Sequence, residues 1–79
     1  MKHLNQRQFE VLRPYLKRAI KGKSAVEAFA KKFGVCAGTM YGYFRGATPD
    51  VANSRMIVDE GIKILTEKNI EFPQLNKIK

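Results

Sequence analysis

Ser24-Ala-Val-Glu-Ala-Phe-Ala-Lys-Lys-Phe-Gly-Val-Cys-Ala-Gly-Thr-Met-Tyr-Gly-Tyr-Phe-Arg-Gly46 divides at Gly34 into two stretches of helical period. In the first, Val26, Phe29, Ala30 and Phe33 fall on one face and Glu27, Ala28, Lys31 and Lys32 on the other, which predicts a helix over about Ala25 to Phe33. Ser24 and Glu27 have the S-x-x-E spacing in which a hydroxyl and a carboxylate satisfy free amides, so Ser24 reads as the cap of that helix. Gly34 suits the left-handed turn that ends it. A second helix follows over about Ala37 to Arg45, with Met40, Tyr43 and Phe44 inward, Cys36 at its start and Gly46 at its close.

Outward from this pair, Phe9, Leu12, Leu16 and Ile20, with Ala19, share a face and predict a helical region from about Asn5 to Lys21. Pro14 inside it cannot donate to the Glu10 carbonyl, so the segment either kinks or restarts there. On the other side, Thr48 as cap, Pro49 in the first helical position and Asp50 in the first turn announce a further helix reaching about Lys68. Its apolar line is Val51, Val58, Ile62 and Leu65, and Asn53 and Ser54 are potential interruptions of its first turns. Ile57 and Ile64 lie off that line and form a second apolar edge, an expected docking edge for the tail or for a second copy in a homodimer. Residues 69–79 contain Pro73 and no clear period and read as a partly disordered tail on which Ile70 and Phe72 dock locally. The expectation is an all-α, compact bundle of four to five short helices in one domain, residues 1–68, followed by the tail.

Charge narrows the function. The chain carries 15 Lys and Arg against 7 Asp and Glu, a formal net charge of +8 in 79 residues. Residues 1–45 hold ten basic and two acidic side chains, and residues 46–79 hold five of each, so the whole excess belongs to the first part. A polyanion is the partner such a surface favours.

Other classes are excluded on chemistry. Cys36 is the sole cysteine, which rules out an internal disulfide or a multi-cysteine metal site and suits a reducing compartment, the cytoplasm being the simplest. His3 has no second histidine near it, and Asp59, Glu60 and Glu67 read as one solvated helix face, so neither a metal site nor a catalytic constellation is expected. The N-terminal stretch lacks the continuous apolar core of a signal peptide, and no apolar run approaches the roughly 18 residues of a membrane helix. No cofactor or small-molecule substrate is anticipated.

Residues 24–46 resemble the helix-turn-helix of the lambda-repressor-like family of phage and bacterial regulators. The resemblance lies in the small Ala30 where two helices cross, Gly34 in the turn, Val35 after it, and the apolar Phe29, Phe33, Met40 and Tyr43. It implies a double-stranded DNA-binding regulator whose second helix enters the major groove while the first crosses the phosphates. On helix 37–45 the groove-facing candidates are Gly38, Tyr41, Gly42 and Arg45, flanked by Ala37 and Thr39. Candidate phosphate contacts are Lys23, Ser24, Lys31, Lys32 and Arg55, with an Arg55–Asp59 ion pair as the competing fate of Arg55. The family's usual Gln, Asn, Ser and Arg residues are sparse on this reading face, and Cys36 stands where a Ser or Thr cap is common. A protein-interaction module using the Ile57 and Ile64 edge is the alternative reading.

Overall fold

A computed structural model describes residues 2–75 of the chain. Four α-helices succeed one another: α1 Leu4–Ala19, α2 Lys23–Lys31, α3 Ala37–Arg45 and α4 Val51–Glu67, and no strand occurs among the described residues. The all-α expectation is met. Residues 76–79, the end of the tail read as partly disordered, lie outside the described residues.

The frame is a pair of long helices, α1 and α4, that run in the same direction. At their starts Gln6 Nε2 donates to the Pro49 carbonyl at 3.0 Å, and at their ends Lys68 Nζ donates to the Ala19 carbonyl at 3.0 Å. Phe9, Leu12, Leu16, Ile57 and Leu65 are completely enclosed between them. Residues 69–75 then turn back along the pair. Asn69, at φ 56, occupies the left-handed position after α4, with the Asn69 amide donating to the Thr66 carbonyl and the Ile70 amide to the Leu65 carbonyl. Ile70 and Phe72 pack on the core as expected, and Leu75, not foreseen, is buried there, its carbonyl accepting from Gln8 Nε2.

α1 is a single helix that continues through Pro14. Pro14 is exposed, and it leaves the Glu10 carbonyl without its helical donor. His3 caps the helix: its Nδ1 accepts from the Asn5 amide at 3.1 Å and Gln6 Oε1 accepts from the His3 amide at 3.0 Å.

Two expected caps are corrected. α2 begins one residue before Ser24, and Gly22, at φ 93, stands at its N-cap with no side-chain bond, so Ser24 lies inside the first turn. At α4 the cap is Asp50, whose Oδ1 accepts from the Asn53 amide at 2.7 Å. Thr48 is diverted, because its hydroxyl donates to Glu10 Oε2 at 3.1 Å. Pro49 therefore precedes the helix instead of opening it, and it is fully buried.

The buried stripe of α4 is also shifted. Ser54, Ile57, Val58, Gly61 and Leu65 face the core, Val51 is exposed, and Ile62 is half-buried. Ser54 does not interrupt the helix, since its Oγ donates to the Pro49 carbonyl at 3.1 Å. Ile57 has no exposed surface, so it offers nothing to the edge expected of Ile57 and Ile64 for a second copy. Ile64 alone remains half-exposed, lining an open groove of about 240 Å³ with Ala19, Ile20 and Phe29.

Candidate nucleic-acid interface

α2 and α3 pack through aromatic rings: Phe29 stacks with Phe44 at 6.4 Å between centroids and meets Phe33 edge-on at 4.9 Å. Val26, Phe29 and Ala30 from α2 and Met40 and Phe44 from α3 are buried. The connection between the helices is shaped by Gly34 at φ 70: the Gly34 amide donates to the Lys31 carbonyl and the Val35 amide to the Ala30 carbonyl. Only a residue tolerant of the left-handed region closes both bonds without strain.

α3 leans on α1 through Tyr43, whose ring meets Phe9 edge-on at 6.3 Å. Tyr43, expected inward, is half-buried. Of the six groove-facing candidates, Gly38 and Arg45 are exposed and Ala37, Thr39, Tyr41 and Gly42 are half-buried. Tyr41 is less outward than expected, because its ring packs against the margin of the core.

The two glycines within α3 have no structural employment inside the fold. Gly42 and Gly38 both have ordinary helical backbone; a methyl group on Gly42 would meet nothing within 4 Å, and one on Gly38 only Cys36 Sγ at 3.9 Å. Each glycine costs a helix about 1 kcal/mol relative to alanine.

The phosphate candidates separate in their environments. Lys23, Ser24, Lys31 and Arg55 are exposed, and the alternative Arg55–Asp59 ion pair does not form. Lys32 is exposed too, and its Nζ lies 3.8 Å from Glu60 Oε2 on α4. Because Gly22 has no side chain to offer, the first amides of α2 are uncapped and the Ser24 hydroxyl beside them is uncommitted. α3 likewise has no side-chain cap bonded to its backbone, whereas α1 and α4 are capped by His3 and Asp50. Neither α2 nor α3 thus has a side-chain cap hydrogen-bonded to its first turn.

Cys36 is exposed at the start of α3, with its Sγ 3.1 Å from Thr39 Oγ1. The Thr39 hydroxyl, followed by backbone amides of the first turn, holds the thiol below its ordinary range. Among the described residues no group of three His, Cys, Asp or Glu side chains is placed to hold a metal ion, and no helix is long and apolar enough to cross a membrane.

Arg13 is half-buried: its Nε donates to the Tyr43 carbonyl at 2.8 Å, and its Nη2 to the carbonyls of Gly46 and Ala47 at 3.2 and 3.0 Å. No pattern signals this role, because the acceptors are main-chain oxygens 30 and more residues away. Comparison with family models, with curated proteins and with solved structures finds no match.

Proposed function

We propose that this chain binds double-stranded DNA as a small regulator of the phage or bacterial kind, acting in the cytoplasm by occupying its site. α2 lies across the phosphates, with Lys23, Ser24 and Lys31 at the backbone, and α3 enters the major groove. Gly38 and Gly42 let the helix backbone come close to base edges, Arg45 supplies a planar donor fork, and Ala37, Thr39 and Tyr41 form the margins. Arg55 adds a flanking phosphate contact. No catalytic step, cofactor or small-molecule substrate belongs to this reading.

The observation that carries it is the condition of α3: two mid-helix glycines that no neighbour requires, beside exposed Arg45, on the part of the chain that holds the entire net charge. The uncapped amides at the start of α2 support it, since a phosphate oxygen is the acceptor such a helix end attracts. For the competing protein-interaction reading, Ile57 is enclosed and only half-exposed Ile64 remains of the surface that recommended it.

Fluorescence anisotropy of the purified protein with labelled duplex, at low and near-physiological salt, tests the proposal. Affinity should fall steeply with salt, by a slope of about 0.9 per phosphate neutralised, and Arg45→Ala should weaken binding. Excess unrelated duplex then separates sequence-specific from general binding. Folded protein that binds no duplex even at low salt would overturn the proposal.

A further inference from the structure

We propose that Arg13 is a positioning residue for the reading helix, one that fixes where the end of α3 stands relative to α1 and does not itself contact DNA. The inference rests on the DNA-binding reading for its functional meaning, though not for its geometry.

Three carbonyl oxygens converge on this one guanidinium. Two of them, from Tyr43 and Gly46, sit at the end of α3, and the third, from Ala47, lies in the loop that follows. The Thr48 side-chain oxygen is the fourth neighbour, 3.5 Å from Nη2. A helix end carries unsatisfied carbonyls and partial negative charge, so a delocalised cation with several planar donors is the group best matched to it. The guanidinium is held in place from below, its central carbon 5.2 Å from the centroid of the Phe9 ring. It is held from the side as well, because Thr48 passes its own hydrogen bond to Glu10, and Glu10 also pairs with Lys2. Arg13 and Glu10 both belong to α1, so the far end of α3 and the loop to α4 are fastened to one helix by a continuous polar chain.

The rest of α3 has no equivalent attachment. Its start is uncapped by any side chain, and its buried residues, Met40 and Phe44, are apolar, which resists separation but sets angle and register less strictly than directed bonds do. Gly46, at φ 149, leaves the chain immediately after α3 in a conformation that does not by itself continue the helix direction. The Arg13 bonds span that point. A displaced α3 would misplace Arg45, the last residue of the helix, before any other reading residue.

The test separates positioning from a direct phosphate contact. Arg13→Lys keeps the charge and loses the planar fork, and Arg13→Met keeps only an apolar stem. Two measurements are made on the full chain: duplex affinity as a function of salt, and hydrogen exchange of the Gly46 and Ala47 amides, which donate to the Gly42 carbonyl. If Arg13 positions α3, both variants lose about tenfold in affinity with the salt slope unchanged. The two amides then exchange faster while those of Leu12, Leu16 and Leu65 keep their protection, which also shows that the variants are folded. Wild-type affinity in Arg13→Lys, with a slope about 0.9 smaller in Arg13→Met, would identify a phosphate contact and overturn the proposal. Unchanged exchange at Gly46 and Ala47 in both variants would overturn it equally. Failure of the wild-type protein to bind any duplex removes the DNA reading, and the exchange measurement still decides whether Arg13 holds α3.

Discussion

Gly61 lies so close against Leu16 that a methyl group in its place would sit 2.7 Å from Leu16 Cδ2 and 3.2 Å from Leu12 Cδ2. This is the point of closest approach that the fold demands of a glycine, since both leucines are completely buried. Gly61→Ala gains about 1 kcal/mol of helix propensity and loses about 2 kcal/mol to overpacking. A net loss near 1 kcal/mol is expected, visible in urea unfolding as a lower midpoint with the slope unchanged. A raised midpoint would mean that α1 and α4 separate at little cost.

Gly42→Ala should behave in the opposite way. The site is open and its backbone ordinary, so the substitution should stabilise the fold by about 1 kcal/mol. If DNA occupies the space in front of α3, the same variant binds duplex more weakly. Higher stability together with full affinity would show that nothing approaches the helix at this point.

Ile57→Ala distinguishes a core position from an association surface. Complete burial predicts a loss of about 2–5 kcal/mol in unfolding free energy. The mass measured by light scattering should be the same for the variant and the wild type under conditions where both are folded.

Cys36 supplies a pH-dependent readout of the start of α3. Its lowered pKa places more of the thiol in the thiolate form at a given pH, so the alkylation rate should rise at lower pH than for an ordinary cysteine. Thr39→Val removes the largest contribution, the hydroxyl 3.1 Å from Sγ, and should move that rise to higher pH. An identical profile in the variant would show that the hydroxyl does not stabilise the thiolate.

Much of the fold was legible because the strongest signals are local. α3 spans Ala37–Arg45 as its period and bracketing glycines predicted, and the core face of α1 needed only four apolar residues at helical spacing. The misreadings share a cause: a choice between neighbouring residues was decided by a distant partner. Thr48 and Asp50 are both good caps, and Asp50 takes the role because Arg13 and Glu10 engage Thr48. The face of α4 was phased on Val51, whereas the true stripe turns on Gly61 and Ser54, neither of which registers as apolar. Of the candidate site, the chemistry of each residue could be read in advance. Whether its side chain is committed elsewhere could not, and so Lys32 with Glu60, Tyr41 at the core margin and Arg13 beneath α3 came only from the structure.

The parallel pairing of α1 with α4 has a bearing on how this chain comes to fold. Asn5 and Val51, neighbours at the starts of the two helices, are 46 residues apart along the chain. Large loop closure precedes the contacts that reward it, which slows folding relative to a bundle built from adjacent hairpins. During synthesis α2 and α3 emerge before α4 can cover Leu12 and Leu16, so a nascent chain that stops before Leu65 holds the α2–α3 pair without the helix that closes on α1. The firm seating of that pair should therefore arrive late and all at once, when α4 docks.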